Sequence, residues 1–157
     1  MNRKRFLNMV SEYGTTSTRL FDQYKKFEAK AEEAYYNYLS AVADLEQNED
    51  VIRINKIALK NTKDECLRDT IKEQLEFGKR YRVEHTLLIK HYKERARLYR
   101  EVANSYRMAF QWCKDFLCTE YKNTIKELNV GVIMYSGGGI RVLIKDSEGN
   151  CIKKRYF

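Results

Sequence analysis

Apolar residues recur along this chain with two different periods, and the change of period divides it. Leu20, Tyr24, Phe27, Ala31, Ala34, Tyr38, Ala41 and Leu45 are separated by alternating steps of four and three. Side chains at that spacing fall on one stripe of an α-helix, so the pattern predicts a helix with a single buried seam. The run Thr15-Thr16-Ser17-Thr18 follows Gly14 and offers hydroxyls able to cap free amides, which puts the expected helix start there. Its expected end lies near Gln47-Asn48.

The next stretch is less regular. Val51, Ile54 and Ala58 share one helical face, and Leu67, Ile71, Leu75 and Gly78 share another. The polar run Asn61-Thr62-Lys63-Asp64 either interrupts this segment or faces water. Gly78 is the only glycine in the middle of the chain and marks a candidate break, compatible with a third helix or with one long helix continuing through it. Regularity then returns. Leu88, Tyr92, Ala96, Tyr99, Ala103, Tyr106, Phe110, Cys113, Leu117 and Tyr121 step by four or three throughout.

Beyond Asn129 the period shortens. Val130–Tyr135, Ile140–Lys145 and Cys151–Tyr156 read as three strands, rich in β-branched and aromatic residues. Ser136-Gly137-Gly138-Gly139 and Asp146-Ser147-Glu148-Gly149-Asn150 supply the turns. Alternation sends Ile140, Val142 and Ile144 inward and Arg141 and Lys145 outward. The expected fold is mainly α: an elongated helical hairpin or three-helix bundle with coiled-coil-like seams, closed by a small C-terminal three-stranded antiparallel β-meander. The expected organisation is a basic N-terminal arm over 1–16, a long-helix bundle over 17–128, and the meander over 129–157 on or beside the bundle.

Composition agrees with long helices: proline is absent, and five of the seven glycines lie at or beyond Gly131. Cys66, Cys113, Cys118 and Cys151 do not form a disulfide framework of the kind found in small secreted domains. The apolar run Phe6-Leu7 behind the basic N-terminus is too short for a signal peptide, and no stretch approaches the length of a membrane span. The expectation is an intracellular, cytoplasmic protein with reduced thiols.

Charge changes the picture most. The net +8 is regional: residues 1–5 carry +3, residues 6–78 carry −4, residues 79–107 carry +6, and residues 141–157 carry +3. Within the third helical segment Lys79, Arg82, Lys90, Lys93, Arg97, Arg100 and Arg107 form one stripe, with Thr86 and Asn104 completing the series. A straight helix would extend that stripe over roughly 42 Å. Its centre lies about 120° from the apolar seam, so it stays exposed when the seam packs. A regional excess of cations points to a polyanion.

Glu65, Asp69 and Glu73 share a helix face, but Arg68 and Lys72 interleave and no further ligands accompany them. Cys113 and Cys118 lie about 140° apart on a helix, and His85 and His91 about 120° apart, so neither pair shares a metal ion. Gly137-Gly138-Gly139 lacks the lysine and the following helix of a phosphate loop. No nucleophile, base or metal constellation emerges, so the expectation is no enzyme, no cofactor and no metal. The leading expectation is a binding protein whose seven-cation stripe, with the arm at Arg3–Arg5 as a further candidate contact, engages a polyanion, nucleic acid first, then an acidic protein surface or an anionic membrane. The alternative is an assembly or inhibitor protein that docks or homo-oligomerises through the helical seam and the C-terminal sheet edge.

Overall fold

A computed structural model describes residues 1–157 and contains both periods. Its elements are α1 (Arg3–Asn61), α2 (Glu65–Glu120), α3 (Lys122–Glu127), β1 (Val130–Met134), β2 (Ile140–Lys145) and β3 (Cys151–Tyr156). The fold is a helical hairpin followed by an open antiparallel sheet in the order β1-β2-β3. No helix is long and apolar enough to cross a membrane. The chain forms two compact units: a sheet-bearing unit of Met1–Glu28 with Arg100–Phe157, and a hairpin unit of Ala29–Tyr99.

In the hairpin unit α1 continues past its expected end at Gln47-Asn48 to Asn61, and the break between helices falls at the polar run rather than at Gly78, which removes the three-helix alternative. Asp64 starts α2 by accepting the Leu67 amide at 3.1 Å. Arg68 folds back and donates through Nη1 to the Leu59 and Thr62 carbonyls at 3.0 and 2.8 Å, satisfying the exposed C-terminal end of α1. Gly78 lies inside α2, where it admits a close neighbour: a Cβ there would stand 2.8 Å from Ile52 Cγ1. Its carbonyl accepts from Asn48 Nδ2 at 3.0 Å. Ile52, Ile71 and Leu75 form the buried cluster near the turn, while Val51, Ile54 and Leu67 are exposed. Farther along, Ala31, Ala34, Ala41 and Ala96 are buried, and the seam passes through His85 and Ile89 rather than the exposed Leu88.

The sheet-bearing unit corrects the expected arm over 1–16. Helix α1 begins at Arg3, where Asn2 Oδ1 accepts the Arg5 amide at 2.9 Å, and it runs unbroken through Gly14 and the Thr/Ser run. The reason is tertiary: Phe6, Leu7 and Val10 are buried against Leu117, Val130, Ile140, Val142 and Ile144. That burial outweighs the weak helix preference of Gly, Ser and Thr. Aromatic pairs then line the seam, with Tyr13 stacked on Phe116 at 5.8 Å and Phe27 on Tyr106 at 5.7 Å.

The strands match their expected ranges to within one residue, and Ile140, Val142 and Ile144 face the core. Register pairs Val130 with Ile144 and Val142 with Arg155, with a bulge between Ile144 and Lys145. A short helix, α3, leads into β1 through Asn129, whose φ of 51° suits a residue tolerant of the left-handed region. Gly138 has φ +92°, and its turn presses on α1: a Cβ there would lie 2.7 Å from the Thr18 amide nitrogen. Gly149 shares the conformation, at φ +88°, but faces open space. Replacing either with alanine should cost about 1 kcal/mol for the left-handed conformation. Gly138→Ala should lose about 1–3 kcal/mol more through overpacking. Urea unfolding of the two variants checks this, and equal losses would mean that the turn does not seat on α1.

Candidate polyanion interface

The seven stripe residues do not form one uniform surface. Within the hairpin unit Lys79 Nζ lies 2.6 Å from Glu76 Oε1, and Arg97 Nη2 lies 2.6 Å from Glu94 Oε1. Arg82 belongs to the seam series with Gly78, His85 and Ile89, and it is half-buried. Its guanidinium donates twice to the Glu49 carboxylate of α1, through Nε and through Nη2, the latter at 2.6 Å. Lys90 and Lys93 are exposed and form no ion pair.

Within the sheet-bearing unit Arg107 donates to Asn104 Oδ1 at 3.0 Å and lies near enough to Glu28 to help lower its pKa. Arg100 is exposed with no ion pair. Four of the seven cations therefore have a carboxylate or carboxamide partner, and Lys90, Lys93 and Arg100 remain available.

Compensation in the hairpin unit has a sequence origin. No lysine or arginine lies between Lys30 and Arg53, whereas Glu32, Glu33, Asp44, Glu46, Glu49 and Asp50 do. That acidic stretch belongs to the helix that packs antiparallel to Lys79–Arg97, as the Glu49–Arg82 pair shows directly. The hairpin unit holds 14 Lys/Arg against 13 Asp/Glu, a net +1. The sheet-bearing unit holds 16 against 9, a net +7. Only Lys25 among its lysines and arginines makes an ion pair, with Glu28 at 2.8 Å.

Those cations come from several elements. Arg3, Lys4 and Arg5 open α1, and Arg3 Nη2 donates to the Leu128 carbonyl at 3.1 Å, placing this first turn beside the entry to β1. Lys122 and Lys126 lie on α3, and Lys153, Lys154 and Arg155 are consecutive and exposed on β3. Arg141 on β2 sits 5.8 Å from the centre of the Tyr135 ring, a cation–π contact. The +3 of residues 141–157 is legible in the sequence as a charge excess but not as a site, because a short strand lacks the long periodicity that makes the helix stripe visible. Lys122 and Lys126 were hidden inside a segment of balanced charge.

The remaining candidates take structural places. Cys113 is buried, and burial pushes its thiol pKa up, away from reactivity. Cys118 is exposed, its thiol 3.9 Å from Met134 Sδ. His85 stacks on Tyr81 at 3.8 Å, with Nε2 4.0 Å from Asp44. Asp69, the middle of the three aligned carboxylates, pairs with Lys72 at 2.9 Å. No three His, Cys, Asp or Glu side chains come together as a metal site. No protein-family model, curated protein or solved structure matches the chain.

The ion pairs carry a pH signature. Lys25, then Tyr24, holds the Glu28 carboxyl below its ordinary value; Arg82 does the same for Glu49, Lys79 for Glu76 and Arg97 for Glu94. A depressed folded pKa stabilises the protein above the unfolded value and loses that contribution as pH falls through the folded one. Thermal stability should therefore hold above the ordinary carboxylate pKa of 4.5 and decline below it. Molar salt should shrink the decline, because the pairs are solvent-exposed. Melting curves in low and high salt from neutral to acid pH test both.

Proposed function

We propose that the protein is a non-enzymatic binding protein for a polyanion, nucleic acid first, and that its sheet-bearing unit makes most of the contacts. The observation that supports this reading is the net +7 of that unit, with Lys25 its one cation in an ion pair. Unpaired surface cations attract a phosphate backbone through counterion release, which needs no base-specific geometry. Arg3, Lys4, Arg5, Lys153, Lys154 and Arg155 are the leading contacts, with Arg100 from the helix stripe. Lys90 and Lys93 are the stripe residues that the hairpin unit offers.

The experiment is fluorescence anisotropy of labelled single-stranded RNA and duplex DNA with the full chain across a salt series. Affinity should fall by about a factor of ten or more from 50 to 200 mM salt if several phosphates are neutralised. Reversing Lys153, Lys154 and Arg155 to glutamate should weaken binding at least about tenfold and flatten the salt slope by roughly three contacts. Reversing Lys79 and Arg97, which are already paired, should matter less. Salt-independent binding, or none, defeats the proposal.

A second reading, docking or assembly through the sheet, is supported by the outer edge of β3. Phe157 exchanges both backbone bonds with Ile140, at 3.0 and 2.8 Å, so alternation turns the Lys154 and Tyr156 backbone groups outward. Ile152 and Tyr156 are exposed along the same strand. Deleting residues 151–157 would also remove Phe157 from the core, so Lys154→Pro is the cleaner probe of the open edge. If strand addition forms oligomers, this substitution should dissociate them in sedimentation while the fold survives; an unchanged mass speaks against assembly through the edge.

A further inference from the structure

The geometry points to a docking groove on the hairpin unit for a basic amphipathic helix of a partner protein. The groove lies between Asp44–Asn55 of α1 and Thr70–Tyr81 of α2, with a volume of about 670 Å³. Each wall covers eleven residue steps, about 16 Å of helix. Asp44 stands at the end shared with Tyr81, as its approach to His85 of the next turn shows, and Glu73 stands toward the other end. Four carboxamides and the side chains of Val51, Phe77 and Tyr81 fill the lining, and no lysine or arginine contributes to it.

Three properties identify the occupant. Phe77 and Val51 are 62% and 47% exposed, leaving apolar surface uncovered along the middle of the groove. The buried cluster nearby consists of Ile52, Ile71 and Leu75, a thin core that a third helix would enlarge. Carboxylates toward both ends, without a cation, complement a positive ligand. A groove between two antiparallel helices receives a third helix at ordinary packing distance, its apolar residues entering as an i, i+4, i+7 row. The fitting helix carries lysine or arginine about eight to eleven residues apart, so that each cation reaches one carboxylate. Its apolar residues between those cations cover Val51 and Phe77, and one cation can lie over the Phe77 ring.

The probe is a fluorescein-labelled helical peptide of alanine, leucine and lysine with that spacing, titrated with the full-length protein. Binding should weaken at least about tenfold in Phe77→Ala and in the pair Asp44→Lys with Glu73→Lys. It should be unchanged in the pair Asp50→Lys with Glu46→Lys, which alters net charge equally outside the groove. All of these positions except Phe77 are exposed charged sites, and circular dichroism of each variant verifies that the helices remain. Equal loss in both charge-reversed pairs would reduce the effect to bulk charge and overturn the proposal. A wild-type dimer in sedimentation that dissociates in Phe77→Ala would give the groove to a second copy and overturn it as well. Absence of peptide binding to the wild type ends it directly.

Discussion

The sheet stays on α1 because, at two neighbouring points, a glycine on one of the two surfaces lets the other come close. Gly14 on the helix meets the C-terminal Phe157, whose Cβ would lie 3.2 Å from an added Cβ. One turn on, the fully buried Ser17 and the backbone of Thr18 meet Gly138 of the first hairpin turn. Close approach at these points brings Phe6, Leu7 and Val10 within reach of Val130, Ile140, Val142 and Ile144, in a buried apolar cluster larger than that of the hairpin unit. Without it the N-terminal turns of α1 would lose their buried face, and a short helical end has little stability of its own. The Ser17 hydroxyl has no hydrogen-bond partner, a polar cost tolerated where only a small side chain fits.

This contact also decides where charge can gather. The cations of the N-terminal turn, α3 and β3 all belong to the unit it organises, and β3 is exposed along its length. The hairpin unit follows another rule. There small residues on the seam let helices approach, and 13 acidic residues nearly balance 14 basic ones, with Glu49 of α1 meeting Arg82 of α2 directly. One chain thus combines a nearly neutral helical hairpin with a basic helix-and-sheet unit. That separation is the physical basis for proposing polyanion binding by the second and partner docking by the first.

Much of the fold was legible in the sequence. Seam spacing from Leu20 to Leu45 and from Tyr92 to Leu117 gave the two helices, and the loss of that period after Asn129 gave the strands within one residue. What failed were local signals read alone. Gly14, the Thr/Ser run and Gly78 look like punctuation, yet all sit inside helices because distant partners demand small residues there. The turn at residues 62–64 was ambiguous for the opposite reason: its capping residues, Asp64 and Arg68, resemble an ordinary charged helix face. The stripe was legible as a pattern, and so was the local pairing of Arg97 with Glu94 three residues before it, but the pairing of Arg82 across the hairpin was not. Glu49 is 33 residues from Arg82, and only the folded hairpin shows that they meet.

Ultraviolet crosslinking of radiolabelled RNA to the full chain, with the adducts mapped by mass spectrometry, tests the central claim most directly. The account predicts that most adducts fall on peptides from Met1–Glu28 and Arg100–Phe157, including those that contain Tyr135 and Tyr156. Adducts concentrated in Ala29–Tyr99, or none above background at low salt, would contradict it.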